Sequence, residues 1–451
     1  MKRIAHLLVP ALLLLSPVMT FADESQSHPA DNEKLKIAKI APADDAWRAS
    51  LPRDPEAATN AYLARISPEA KARSDAYFEG GYWLQLWEFL FGLLVGLFLL
   101  KSKLSAGIRT WTEGKINNPA MRLILFSAIF LVLVRVLSFP VSVYTDFFRE
   151  HQYGLSNLGF GEWLKEWFIG LLVGMILGAP ALAAVYGVIR KFPKRWPVGA
   201  TLVGVLFLSF ASLIGPVYID PLFNHYTSLE AGPTKDAILS LARANGVPAT
   251  DVYQFDASKQ SDGVSANVSG FMNTTSIRLN DNLLRRSTPA EIKGVMGHEM
   301  GHYVLNHVYK GVFEFSFLLL VLFWFLSYGM EKTLAWKGAE WGLRGVGDIA
   351  GVPLFMALMS IFFFFLTPVT NTLIRTQETE ADMYGLNAAR EPDAEAEVDL
   401  KLTEYRKPDP GPVEEFIFFD HPSTRKRVYA AMRWKAENWK AEEKKVETLK
   451  P

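Results

Sequence analysis

The chain has 451 residues, with 47 basic and 47 acidic side chains and no formal net charge; half of it is apolar, and it contains 31 phenylalanines, 12 tryptophans and no cysteine. Neutrality argues against a nucleic-acid partner, because phosphate binding needs a basic surface. The lack of cysteine excludes disulfides and thiolate metal ligands, and the clustering of apolar residues into runs points to a membrane protein.

Residues 1–22 join Lys2 and Arg3 to an apolar stretch over 7–18 and then Thr20-Phe21-Ala22. This reads as a signal peptide cleaved after Ala22, with an uncleaved N-terminal anchor as the alternative. Residues 23–75 are polar and rich in alanine, proline and charge, an extramembrane segment with some short helix. Apolar runs follow at 82–100, 123–144, 163–189, 198–219, 312–328 and 349–366. Each is near the ~20 residues that cross a hydrocarbon core. The first four place an N-terminal membrane domain over 76–219, and the last two a membrane hairpin over 311–370. Glu88, Arg135 and Glu314 lie in or beside these runs; charge is costly there, so these side chains are expected to face an interior. No internal repeat is evident.

Between the fourth and fifth runs, residues 220–310 form the first part of a soluble domain. Short strands are predicted at 251–255, 265–271 and 276–280. Thr288-Pro289-Ala290-Glu291 is a capping box with proline at the first helical position. The helix it opens carries His298-Glu299-Met300-Gly301-His302. Two histidines four apart share one helix face and can hold one zinc ion, and Glu299 beside them is placed to act as a base towards water. A third protein ligand must be histidine, aspartate or glutamate. Glu378 and Asp382 are four apart on one helix in the second soluble part, 371–451. The glutamate can bind the metal, and the aspartate can take a hydrogen bond from a ligating histidine. Because the ligands come from both sides of a membrane hairpin, the metal sits at or within the membrane surface. His307 lies about 140 degrees off the ligand face at 3.6 residues per turn and reads as structural. His6, His28, His151 and His225 have no metal-like spacing.

In chain order, Ile219-Asp220-Pro221-Leu222-Phe223-Asn224, the zinc helix, Glu-Thr-Glu-Ala-Asp at 378–382 and Asp420-His421-Pro422-Ser423-Thr424 resemble the type I CAAX prenyl proteases. These are integral-membrane zinc proteases, and the resemblance runs from about residue 75 to 430. It implies a mainly α polytopic fold, six or seven membrane helices enclosing a chamber, and a zincin-like catalytic domain with a small β-sheet. It further implies one zinc ion on His298, His302 and Glu378, with Asp382 behind them and Glu299 as base. His421 and Arg427 would face the substrate carbonyl. A peptide or membrane-protein substrate would add as a strand along Ser265-Ala266-Asn267, where the family usually has asparagine at the position of Ser265.

The reading is thus a membrane-embedded zinc endopeptidase acting on membrane-associated or lipidated-like proteins, with the lipid bilayer as its other partner. A quality-control protease of the HtpX type, which should have fewer spans, and an inactive zinc-binding scaffold are the alternatives. Oligomeric state and substrate identity are left open. The loops holding Lys101, Lys103, Arg109 and Lys115 and then Arg190, Lys191, Lys194 and Arg195 are basic, whereas 145–162 is acidic. Short basic loops stay in the cytoplasm, so a bacterial inner-membrane protein with its catalytic domain in the periplasm is expected.

Overall fold

The structure, a computed structural model, describes residues 40, 43–269 and 275–448. The expected signal peptide or anchor at 1–22 lies outside the described residues. Among the described residues, six helices are long and apolar enough to cross a membrane. They correspond to the six apolar runs, each extended at its ends by polar turns.

Two short helices, α1 (Asp45–Ala49) and α2 (Pro55–Leu63), precede the long helix α3 (Pro68–Lys101). Each is opened by a side-chain cap, Asp44, Asp54 and Ser67 in turn. A short helix α4 (Leu104–Lys115) leads to α5 (Pro119–Leu137), α6 (Phe160–Lys191) and α7 (Trp196–Ile214). The soluble domain then contributes β1 (Tyr226–Ser228), α8 (Pro233–Ala244), β2 (Val252–Phe255), β3 (Ala266–Ser269), β4 (Ser276–Asn280) and the zinc helix α9 (Pro289–Val304). The membrane hairpin follows as α10 (His307–Lys337) and α11 (Val352–Ala389), and the chain closes with α12 (Pro392–Lys401) and α13 (Thr424–Thr448).

The sheet has the order β1-β2-β4-β3. The strands expected at 251–255, 265–271 and 276–280 are present as β2, β3 and β4, with 270 and 271 outside the described residues, whereas β1 was not legible. Its three residues pair antiparallel with β2, and so short a segment carries no periodicity of its own. β3 is an edge strand, pairs antiparallel with β4, and packs beneath the zinc helix. One face of the sheet, with α8 and α9, buries Ile238, Val252, Ile277, Leu279, Ile292 and Met296.

The long helices form a ring. α3 packs on α11, α11 on α10, α10 on α7, α7 on α6 and α6 on α5, while α4 bridges α3 and α5. The buried apolar cluster runs through this ring and is richest at one end. It takes Leu99 from the end of α3, Phe126 from the start of α5, Tyr186 from the end of α6 and Trp196 from the start of α7. Met330 from the second half of α10 and Phe355 from the start of α11 complete it. Arg135 lies over the ring of the buried Trp167, 4.9 Å from its centroid; stacking on an aromatic face shields a guanidinium from hydrocarbon.

The polar residues before α3 are not a free linker. Trp47, Tyr62 and Ile66 pack against Val428, Met432 and Trp434 of α13. The Tyr62 hydroxyl donates to Asp393 Oδ1 at 2.8 Å, and Lys435 reaches the same carboxylate at 2.7 Å. The start of the first membrane helix is thereby tied to the catalytic domain.

Candidate metal centre and active site

The predicted capping box forms: Thr288 N–H donates to Glu291 Oε2 at 2.9 Å, and Glu291 N–H to Thr288 Oγ1 at 3.4 Å. It starts α9 so that His298 and His302 point to one side. Glu378 reaches them because α9 and α11 approach closely, and glycine makes the approach possible. A Cβ on Gly385 would stand 2.8 Å from the His298 backbone nitrogen. One on Gly297 would stand 3.1 Å from Gly385 O, and one on Gly301 3.1 Å from Tyr384 Cβ. These glycines were not picked out from the sequence. Their signal was the four-residue spacing of Gly297 and Gly301 along the zinc helix. Gly385→Ala is expected to force the two helices apart at a cost of about 1–3 kcal/mol and to strip zinc, read as metal content after dialysis against a weak chelator.

One ligand atom from each of His298, His302 and Glu378 lies within 4.8 Å of the others, and all three residues are buried. The Nε2 atoms of the two histidines are 3.0 Å apart. Glu378 Oε2 is 3.4 Å from His298 Nε2, and Oε1 is 3.5 Å from His302 Nε2. Glu378 Oε1 is buried and accepts no hydrogen bond. His298 Nδ1 faces Asp382 Oδ1 at 2.8 Å, so its proton belongs there and its Nε2 is a lone pair. Converging lone pairs and a buried carboxylate oxygen with no protein donor suit a cation, and two imidazoles with one carboxylate suit zinc. Burial opposes charge on His298, but Asp382 and Glu378 outweigh it and hold the imidazole well above the ordinary histidine range.

Glu299 is half-buried beside this centre, and its carboxylate takes part in no hydrogen bond or ion pair among the described residues. His421 arrives on the loop before α13. Its Nε2 is 3.3 Å from Glu378 Oε2, and its Nδ1 is 2.8 Å from Asp420 Oδ1. Burial holds this imidazole below the usual histidine range, against the pull of Glu378 and Asp420.

Arg427 lies behind His298. It is on the far side of His298 from the metal ligands, with Nε 2.9 Å from Asp382 Oδ2 and Nη2 3.4 Å from His298 Nδ1. A further contact joins Nη2 to Asp382 Oδ1. Asp399 at 3.3 Å and Glu395 at 3.7 Å complete its shell. The guanidinium therefore bears on the carboxylate that faces His298 Nδ1. The six-residue spacing from His421 spans a loop-to-helix junction, and α13 turns Arg427 inward behind α9. Glu395 and Asp399 went unnoticed in the sequence, where α12 reads as an acidic surface helix; both are buried. Burial raises both carboxyls, that of Asp399 strongly, despite the nearby Arg427.

Ser265, Ala266 and Asn267 are brought beside the zinc helix at the start of β3. Asn280 N–H donates to Ser265 O at 2.9 Å. The antiparallel alternation then turns the backbone groups of Ala266 and Val268 to the open edge.

Two family profiles match the chain end to end: residues 53–225 match the CAAX prenyl protease N-terminal region with five membrane helices, and residues 228–435 match peptidase family M48. The chain belongs to peptidase family M48. This M48 protein is a polytopic membrane zinc metalloprotease. It is 29% identical over 335 residues to the uncharacterized metalloprotease YhfN of Bacillus subtilis, covering 74% of this chain and 78% of that one. It is 28% identical over 315 residues to CAAX prenyl protease 1 of Saccharomyces cerevisiae, covering 66% and 69%. Its fold is that of the crystal structure of S. mikatae Ste24p, with a TM-score of 0.69 at 23% identity over 81% of this chain and 89% of that one. Within 53–225 the M48 protein has four long apolar helices.

Proposed function

We propose that the protein is an endopeptidase that cleaves membrane-associated or lipidated-like proteins at a single zinc centre. The observation that carries this is the convergence of three buried acceptors beside the uncommitted Glu299 carboxylate. A zinc ion there supplies Lewis acidity and brings the pKa of a water towards neutrality. Glu299 takes the proton of the attacking water and hands it to the departing amine. His421, held at Nδ1 by Asp420, presents Nε2 to the centre and stabilises the oxyanion that develops on the substrate carbonyl. The profile match at 53–225 and the six spans favour this class over the HtpX-type alternative. Membrane proteomes of cells carrying the wild type or Glu299→Gln test the reading: substrates accumulate uncleaved with the variant. Identical proteomes would remove it.

The substrate is proposed to lie along β3 as an added strand, bonded to the open backbone groups of Ala266 and Val268. Val268→Pro removes one such donor without touching a bond of the sheet. It is expected to raise KM with thermal stability unchanged; an unaltered KM would move the substrate off this edge.

The catalytic domain is proposed to face the periplasm. The loops at the end richest in buried apolar side chains meet one another: Arg190 Nε donates to Gly347 O at 2.9 Å, and Arg344 pairs with Glu113 at 2.8 Å. Lys332, Lys337 and Arg344 thus join the two basic loops at one end. Loop 153–159 lies at the other end, where Asn157 N–H donates to Gln260 O of the catalytic domain at 2.8 Å. The positive end stays inside. A reporter active only in the periplasm, fused after Pro451, is expected to be active; silence there with an active cytoplasmic reporter would reverse the topology.

A further inference from the structure

His307 was expected to be a bystander, because five residues along a continuous helix would carry it away from the ligand face. The helix is not continuous. α9 stops at Val304, Asn306 takes a left-handed φ of 58°, and α10 restarts at His307. Asparagine tolerates that conformation, and the reversal folds His307 back beneath His302. Its Nδ1 lies 2.8 Å from His302 Nδ1, and the residue is 3% exposed.

The proton positions follow from what each nitrogen faces. His302 Nε2 points at His298 Nε2 and Glu378, so it offers a lone pair and its proton is on Nδ1. His307 Nδ1 must then accept that hydrogen bond and carry its own proton on Nε2. That nitrogen is 3.0 Å from Glu380 Oε2, which Lys310 Nζ also reaches at 2.6 Å. The chain runs from Lys310 through Glu380 and His307 to His302, each donor meeting an acceptor.

We infer that His307, held by Glu380, is a positioning residue that fixes the tautomer and ring plane of the metal ligand His302, as Asp382 does for His298. The inference rests on the zinc reading of the site. The two ligands are supported unequally: His298 leans on a buried charged carboxylate, His302 on a neutral imidazole that passes the bond to a partly exposed one. His307 is also the first residue of a membrane-spanning helix. The orientation of one zinc ligand is thus coupled to the place where the catalytic domain enters the bilayer.

The test uses the full chain purified in detergent, with zinc affinity measured by chelator competition and the visible spectrum recorded after cobalt substitution. His307→Ala is expected to weaken zinc binding roughly 10–100-fold and to shift the cobalt bands. His307→Gln, whose side-chain carbonyl can accept from His302 Nδ1–H, is expected to recover part of the affinity. Glu380→Ala is expected to lose affinity in the same direction by a smaller factor. A folded His307→Ala protein with wild-type affinity and spectrum overturns the inference. If that variant does not fold, unchanged affinity and spectrum in Glu380→Ala overturn it. Failure of the zinc reading itself is distinguishable, because the wild type would then bind no stoichiometric zinc.

Discussion

Glu299→Gln is expected to bind zinc like the wild type and to lose about 10²–10⁴ in kcat, the contribution typical of a positioned acid–base group. The two effects separate because Glu299 takes no part in the cluster of His298, His302 and Glu378 that can hold the ion. Its amide replacement keeps the shape and removes the proton acceptor. KM should change little, since the proposed substrate contacts lie along the edge strand and not at Glu299. Metal analysis and steady-state kinetics on one preparation check this. Wild-type turnover in the zinc-loaded variant would assign the base elsewhere; loss of zinc would make Glu299 part of the metal-holding set.

Arg427→Met is expected to destabilise the catalytic domain by about 3–5 kcal/mol, the cost of removing one partner of a buried ionic cluster. Arg427 faces Asp382, Asp399 and Glu395, all buried. Without the guanidinium, Asp382 loses its cationic partner and holds His298 less well, so zinc affinity should fall with stability. Arg427→Lys should restore only part of both, because a point charge cannot bridge three carboxylates as a planar fork does. Thermal unfolding in detergent and chelator competition read the two quantities. A variant as stable as the wild type, with intact zinc affinity and slow turnover, would instead support the substrate-facing role that resemblance implied.

The zinc helix, its capping box and the six apolar runs were legible because each is encoded within one stretch of chain. A four-residue spacing puts His298 and His302 on one face in any helix, and Thr288 and Glu291 cap whatever helix follows them. Burial in lipid selects long apolar runs whatever they pack against. Glu378 and Asp382 were readable for the same reason, once a partner motif existed to receive them.

The tertiary structure alone decided what depends on two distant segments meeting. It placed Arg427 behind His298 because α13 crosses α12 there, and no spacing from His421 encodes that crossing. It folded His307 under His302 through a single left-handed residue, which helical periodicity cannot anticipate. It buried Glu395 and Asp399 on a helix whose composition reads as surface. It also set the closeness of α9 and α11, where glycine matters only because another backbone lies against it. The residues able to hold the ion were thus determined locally by the sequence, while the residues that hold those ligands in place come from separate parts of the chain and are chosen by packing.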